Sequence, residues 1–243
     1  MRQMRNSAHY RHALISGLLN IIYPSLCPSC GNPSDQWTHS PVCSACWSQL
    51  KRYSGPSCMI CALPVASEHA RICGQCMQKA PPFSRVITYG LYEGVLAEAI
   101  HQFKFHRVRR LSKPLGNLLL HLDIPRADGI IPVPLSKKGL IARGFNQSLL
   151  ISHVIARHTG IALCMDFLFK TKDTPPQIGL SARERLSNLK NAFDVHGNIK
   201  DLRLLLVDDV ITTGATVREC SKMLMKAGAQ EVTVLALARA PLL

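Results

Sequence analysis

No stretch of this 243-residue chain approaches the roughly 18 to 20 consecutive apolar residues that a bilayer-spanning helix needs. The longest candidate, Ala13 to Tyr23, is interrupted by Ser16, Gly17 and Asn20. Acidic side chains are scarce: 15 Asp and Glu stand against 29 Lys and Arg, a formal net charge of +14. Charged residues make up only 18% and hydrophobic ones 47%, which excludes a disordered basic tail. A convincing secretion signal is also missing. Arg2, Arg5 and Arg11 precede an apolar stretch, but Ile21-Ile22-Tyr23-Pro24 does not read as a small-residue cleavage site. There is no Gly-Lys-Ser/Thr of a Walker loop. The expectation is a soluble, globular, basic protein.

What is abundant is cysteine, and it is unevenly placed. Eight of the ten fall in four Cys-x-x-Cys pairs: Cys27/Cys30, Cys43/Cys46, Cys58/Cys61 and Cys73/Cys76. The spacing repeats, so one unit of about 20 residues occurs twice. A Cys-x-x-Cys turn points two thiolates at one cation, and two such turns complete a tetrahedral zinc site with no open position. Two structural four-cysteine zinc sites are expected. Sequential pairing, Cys27 to Cys46 and Cys58 to Cys76, is the simple reading; crossed or interleaved pairing stays open. Each closed site carries a charge of −2, which takes the net charge to about +10. His39 and His69, between the pairs, read as surface histidines, since four thiolates already complete each site. Thiolate sites of this kind imply a reducing compartment, hence the cytoplasm.

The chain then divides by texture. Residues 1–26 form an N-terminal segment with Leu14, Leu18, Leu19 and Ile22 spaced for one helical face; it could dock a partner or pack on the protein's own body. Residues 27–80 are the double zinc ribbon, in which metal replaces a hydrophobic core. Ala80-Pro81-Pro82 reads as a linker. Residues 83–243 alternate strands and helices. Strands are expected at Val86–Tyr92, Asp128–Pro134, Ile161–Phe169, Arg203–Val207 and Glu231–Ala238, with helices around Leu96–Phe103, Phe145–His158 and Thr216–Ala227. Lys170 to Asn188 reads as a long polar loop. This order predicts an α/β fold, a mostly parallel sheet with helices on both faces. Cys164, in a strand, and Cys220, on a helix, are expected as core thiols.

The most informative stretch is Leu204-Leu-Leu-Val-Asp-Asp-Val-Ile-Thr-Thr-Gly-Ala-Thr216. A buried strand ends in two acids, and a loop of small and hydroxyl residues opens a helix. Ligands of such sheets bind beyond the carboxyl ends of the strands. Thr212, Thr213, Gly214, Ala215 and Thr216 suit a phosphate held by backbone N–H groups and hydroxyls at a helix N-terminus. Asp208 and Asp209 suit ribose hydroxyls and, directly or through water, Mg²⁺. A plain strand end followed by a helix cap would explain one Asp and one Thr, but not the whole string.

Val207-Asp-Asp-Val-Ile-Thr-Thr-Gly-Ala-Thr216 resembles the signature of type I phosphoribosyltransferases, which bind 5-phosphoribosyl-1-pyrophosphate (PRPP). With the paired cysteines, residues 24–240 are similar to the ComF family. Ile131-Pro-Val-Pro-Leu135 with Arg143-Gly-Phe-Asn-Gln147, then Pro176-Gln177 with Leu180, Arg185, Asn188 and Ala192-Phe193, and Tyr92 with Lys104-Phe105 carry the likeness further. Departures are Ser136-Lys137-Lys138, where the family often has a His-Arg-Arg-like run, and Lys170 and Lys172, where Arg is common. The resemblance implies a type I phosphoribosyltransferase-like domain with catalytic Asp208 and Asp209. Its PRPP site, with Mg²⁺, would use Thr212–Thr216, the Leu135, Ser136 and Lys137 loop, and Lys104, Arg143 and Arg185. Lys170–Asn188 would be its closing loop.

No acceptor pocket is legible, and no amidohydrolase half is present. Three functions follow. The first is a phosphoribosyltransferase of unidentified acceptor. The second is a protein of DNA uptake or utilisation that contacts single-stranded DNA; Tyr10, Trp37, Trp47, Tyr53 and Phe83 are candidate stacking residues, packing around zinc being the other and favoured reading of them. The third is a non-catalytic zinc-ribbon adaptor docking a competence or helicase-like, DNA-processing partner. Transfer and DNA contact are compatible in one molecule.

Overall fold

The computed structural model describes residues 25–36, 38–67, 69–172 and 189–241. Most of the N-terminal segment and the core of the long polar loop, including Arg185, lie outside them. The chain forms two compact units, Met1–Leu50 and Lys51–Leu243. Among the described residues no helix is long and apolar enough to cross a membrane.

Each unit carries one cysteine repeat, and the repeats fold alike. In the first, Leu26 and Pro33 form an antiparallel bridge. The Cys27 N–H donates to the Asn32 carbonyl at 2.7 Å and Gly31 N–H to the Cys27 carbonyl at 2.8 Å. In the second, Ser57 bridges Pro64, Cys58 N–H donates to Leu63 at 2.8 Å and Ala62 N–H to Cys58 at 2.9 Å. The residue after the second cysteine must take the left-handed conformation, with φ +77° at Gly31 and +54° at Ala62. Glycine adopts it freely; alanine does so at about 1 kcal/mol. The second half of each repeat is a short helix, α1 at Ser44–Trp47 and α2 at Gly74–Gln78, with Cys43 and Cys73 at their N-caps. Asp35 supplies a further cap for α1, accepting from Ser44 N–H at 2.7 Å. That hydrogen bond holds its carboxyl below the usual carboxylate range.

The second unit is built on a parallel sheet. Its elements are β1 (Arg85–Leu91), α3 (Gly94–Phe105), a 3-10 turn (Arg109–Leu111), α4 (Ser112–Leu119), β2 (Gly129–Pro132), α5 (Lys137–Arg143), α6 (Gln147–Thr159), β3 (Leu168–Lys170), β4 (Phe193–Val195), β5 (Arg203–Ile211), α7 (Ala215–Lys226) and β6 (Glu231–Arg239). The strand order is β1-β6-β5-β2, every neighbour parallel. β3 and β4 form a separate antiparallel pair. The α/β fold class expected from the alternation of strands and helices is the one observed.

A parallel sheet covered on both faces needs apolar residues at successive positions. Leu204, Leu205, Leu206 and Val207 are all buried. Leu204 and Leu206 join Val234, Ala236 and, from α7, Val217, Cys220 and Leu224 in one core. The intervening residues, Leu205 and Val207, point to the opposite face by the strand's two-residue period. There α4 and α6 pack on each other and on the sheet. Their approach is close: a Cβ on Gly116 would stand 2.7 Å from Val154 Cβ.

The second cysteine repeat belongs to the first of these cores. Cys58, Cys61, Leu63, Cys73 and Cys76 pack with Phe83, Val86 and Ile211. The two compact units divide at Leu50/Lys51, and the second repeat lies in the larger one. The repeat also covers the β1 edge, since Val86 N–H donates to Ile60 at 2.8 Å and Tyr53 N–H to Tyr89 at 2.9 Å.

Several elements differ from their expected form. The segment after β2 is a helix, α5, from Lys137 on, because Ser136 Oγ accepts from Gly139 N–H at 3.1 Å and caps it. α6 starts at Gln147, since Asn146 is its cap, its side chain accepting from Leu149 N–H at 3.2 Å. The strand expected over Ile161–Phe169 is reduced to a bridge, Leu163 with Ile130, followed by β3. Cys164 is accordingly half-buried outside any strand, whereas Cys220 is fully enclosed.

Gly116→Ala should destabilise the fold by about 1–2 kcal/mol, the overpacking against Val154 outweighing the gain in helix propensity. Val154→Ala in the same chain should recover most of the loss. Urea unfolding followed by circular dichroism would check both.

Candidate functional site

β5 is apolar until its last third, where Asp208 and Asp209 interrupt it. Asp209 is 4% exposed. Its Oδ1 receives the Lys104 ammonium, from the last turn of α3, at 2.8 Å, and Val210 N–H at 2.7 Å. Asp208 Oδ1 accepts from Asp209 N–H at 2.9 Å and from Ser148 Oγ, in the first turn of α6, at 3.2 Å. Burial pushes the Asp208 carboxyl up to about 7, the Asp209 carboxylate adding to the shift. The Lys104 charge and the two hydrogen bonds work against it. Two adjacent carboxylates so poised are a common mark of a functional site.

The chain turns immediately beyond. Gly214 has φ +78° and stands at the N-cap of the 12-residue α7, whose first turn has no acidic side chain. A Cβ there would meet nothing nearer than 3.9 Å, so the glycine is required by the backbone angle rather than by space. Asp208, Val210, Ile211, Thr212, Gly214, Ala215, Thr216 and Val217 line one shallow cleft. Thr213 Oγ1 accepts from Ala215 N–H at 3.4 Å, shaping the turn. The positive end of α7 thus faces a cleft walled by hydroxyls and, on the strand side, by a carboxylate.

The Arg143–Ser148 stretch acts as a frame. Gly144, φ +78°, ends α5. Phe145 is buried against Phe103, ring centroids 5.3 Å apart. Asn146 Nδ2 donates to the Val133 carbonyl at the end of β2, 3.0 Å away. Arg143 Nη1 donates to Gln147 Oε1 at 3.3 Å and its guanidinium lies 5.8 Å from the Phe105 ring. Leu135 is half-buried, Ser136 buried as the cap, and Lys137 exposed on α5. The structure therefore joins Asp208, Asp209, Lys104 and the Thr212–Thr216 loop. It places Arg143 on Phe105 and Gln147, and Lys137 in solvent. Arg185 lies outside the described residues.

The cysteines form two clusters, Cys27/Cys30/Cys43/Cys46 and Cys58/Cys61/Cys73/Cys76, with all ligand atoms of each within 4.8 Å of one another. This is the sequential pairing. The Cys30–Cys43 and Cys61–Cys73 sulfurs are each 3.6 Å apart. That is far from a disulfide and close to the roughly 3.8 Å edge of a zinc–thiolate tetrahedron with 2.3 Å bonds. The donor set fits zinc. His39 stays outside the first cluster, with Nδ1 2.8 Å from the Val42 carbonyl and its ring stacked on Trp47.

Of the candidate stacking aromatics, Phe83 is buried beneath Arg218 and so unavailable to a base. Tyr53 is half-buried, its hydroxyl donating to Pro56 at 3.3 Å. Tyr10 and Trp37 lie outside the described residues. Sequence reading missed Ser148, which immediately follows the Arg-Gly-Phe-Asn-Gln motif. It also missed Arg218 and Arg239. The last is a charge that closes the uncharged run Val232–Ala238, and that incongruity was the available signal.

An α/β sheet bearing an acidic pair and a small-residue loop at one strand end, with four-cysteine ribbons before it, defines the class. Residues 18–77 match the family model of the double zinc ribbon domain. The DNA utilization protein YhgH of Escherichia coli strain K12 is 37% identical over 225 residues, covering 89% of this chain and 97% of its own length. Competence protein F of Haemophilus influenzae is 34% identical over 250 residues, covering 98% and 100%. A solved structure, the glutamine PRPP amidotransferase from B. subtilis complexed with ADP and GMP, is 28% identical with a TM-score of 0.38. That match covers 51% of this chain and only 25% of the amidotransferase. With relatives this similar along nearly its whole length, the chain belongs to the ComF family.

The raised Asp208 value sets a pH dependence. The folded state holds this proton up to about pH 7, while an unfolded Asp releases it near 3.9. Stability from this group is therefore fully present below about pH 4 and falls as pH rises towards 7. Asp208→Asn should flatten that decline, read from urea midpoints between pH 4 and 8.

Proposed function

We propose that this protein binds PRPP at the carboxyl end of β5 and acts in DNA uptake or utilisation, with contact to single-stranded nucleic acid. The observation that carries the reading is the Asp208–Asp209 pair beside the Thr212–Thr216 turn at the start of α7. The turn would take the 5-phosphate, and the two carboxylates the ribose hydroxyls. Mg²⁺ would come with PRPP, for which carboxylate oxygens are suitable hard donors, and it would supply charge neutralisation of the pyrophosphate. Lys104, already on Asp209, keeps one positive charge at the sugar's edge. In transfer, the C1–O bond to pyrophosphate breaks and the leaving group takes the electron pair. The protein's part is to hold the sugar and exclude water. Leu135, Ser136, Lys137, Arg143 and Arg185 belong to the same proposal as the pyrophosphate side. The acceptor is left open by the chemistry of the site.

The nucleic-acid part rests on the net charge of +14 and on α5, where Lys137 and Lys138 are exposed beside Leu140 and the 80% exposed Ile141. The names of the relatives, a DNA utilization protein and a competence protein, support the same direction. Four-thiolate zinc sites support a reducing compartment, the cytoplasm, as its location. A second reading, an adaptor docking a DNA-processing partner, is favoured by the exposed Met59, Ile72 and Met77 on the second ribbon.

Calorimetric titration of PRPP with Mg²⁺ tests the first reading. Micromolar binding to the zinc-loaded protein should weaken about 100-fold or more, some 2.7 kcal/mol, in the Asp208→Asn/Asp209→Asn double variant. Equal binding by both would overturn the site assignment. Single-strand DNA binding should be salt-dependent, and Lys137→Ala/Lys138→Ala should shrink its logarithmic salt slope by roughly 1.4. If DNA and PRPP binding are both absent but a pulled-down partner is lost on chelation, the adaptor reading replaces the first.

A further inference from the structure

Two arginines connect the second four-cysteine cluster to the candidate phosphate loop. Arg239 ends β6 and is 2% exposed. Its Nε donates to the Cys61 carbonyl at 3.1 Å, on the ribbon. Its Nη1 donates to the Ile211 carbonyl at 2.9 Å and to that of Thr212, at the entry to the loop. The same nitrogen reaches the Ala240 carbonyl at 3.1 Å. These four partners are backbone carbonyls, which carry no full charge. A buried cation without a carboxylate is costly unless other negative charge lies near. The neighbouring sulfurs Cys61, Cys73 and Cys76 supply it, favouring the charged guanidinium against the burial that disfavours it.

Arg218 makes the second connection, from the other side of the loop. It lies in the first turn of α7, its backbone N–H bonded to the Gly214 carbonyl at 2.9 Å. Its Nη2 is 3.8 Å from Cys76 Sγ, and its Nη1 donates to the Lys79 carbonyl at 3.3 Å. Phe83 stacks beneath it, 5.9 Å from the guanidinium carbon. The loop is thus fastened to the ribbon where it begins and where it ends. A four-thiolate zinc centre carries a net −2, and these are the cations set against it.

We infer that Arg239 and Arg218 are positioning residues that couple the metal state of the second ribbon to the order of the 212–216 loop. With metal bound, the ribbon holds the Cys61 carbonyl and the Cys76 sulfur where the arginines need them. Without it, the Cys58/Cys61 turn is no longer bonded through the metal to the Cys73/Cys76 turn, and that carbonyl and sulfur lose their fixed spacing. Coupling of this kind is reciprocal: whatever orders the loop also slows metal loss from Cys58/Cys61/Cys73/Cys76. The inference extends the PRPP reading, since that loop is the proposed phosphate site, but the link itself needs no PRPP.

The test is amide hydrogen exchange by mass spectrometry on the full-length protein, zinc-loaded and after chelation, with no nucleotide present. Chelation should raise exchange at 212–216 about tenfold or more while α6, residues 147–159, changes less than twofold. In zinc-loaded Arg218→Met the loop should already exchange faster, and chelation should add little; Arg218→Lys should restore part of the protection. Arg239→Lys should behave like Arg218→Met. Unchanged exchange at 212–216 after chelation would overturn the inference. So would an equal rise in the loop and α6, which would assign the ribbon to general stability. Either result is separate from the PRPP titration, which reads Asp208 and Asp209.

Discussion

The site depends on one electrostatic arrangement: two adjacent acids, Asp208 and Asp209, that follow the apolar run Leu204–Val207 of β5. Such a pair is unfavourable in a packed core unless each member finds a partner. Asp209 has the Lys104 ammonium, and Asp208 has the Ser148 hydroxyl and a backbone amide. Those partners come from α3 and α6, on either side of β2 in the chain. The acidic pair therefore ties together elements that the sheet alone would only stack. It also explains the frame around Arg143–Ser148. Gly144 turns the chain, Phe145 anchors it on Phe103, and Asn146 fixes it to β2, so that the first turn of α6 meets Asp208.

The two cysteine repeats demonstrate how one local design serves two structural ends. Their knuckles share hydrogen bonds, bridge and left-handed residue. The first sits in a unit of its own, where Cys27, Val42, Cys43 and Cys46 are buried and Cys30 is exposed. The second is continuous with the apolar face of the sheet that α7 covers. What separates them is the sequence that follows. After Cys76 the chain runs through Phe83 directly into β1, while after Cys46 it runs into the polar Ser48-Gln49 pair.

Strand and helix centres were legible because each covered element has an apolar pattern of its own period. Ends were less so, since caps decide them. Asn146 stops α6 from starting at Phe145, and Ser136 creates a helix where only a loop was expected. The cysteine pairing and the acid–loop–helix string were also legible, being short-range. The connections between them were not. Lys104 to Asp209 spans 105 positions and Arg239 to Cys61 spans 178, and no periodicity encodes such pairs. Phe83, open in the sequence to base stacking or to packing around zinc, packs against the second cysteine repeat.

The cover over β1 has a consequence for the protein's behaviour in solution. β1 is an outer strand of the sheet, and its outward amide and carbonyl at Val86 and Tyr89 are taken by Ile60 and Tyr53. An uncovered outer strand is a template for pairing with another chain. Here the shield is a segment whose shape depends on four thiolates. Metal starvation or thiol oxidation would therefore reach beyond the ribbon and leave an outer strand open to strand addition by another chain. In this chain, zinc supply and colloidal behaviour are bound to the same few residues.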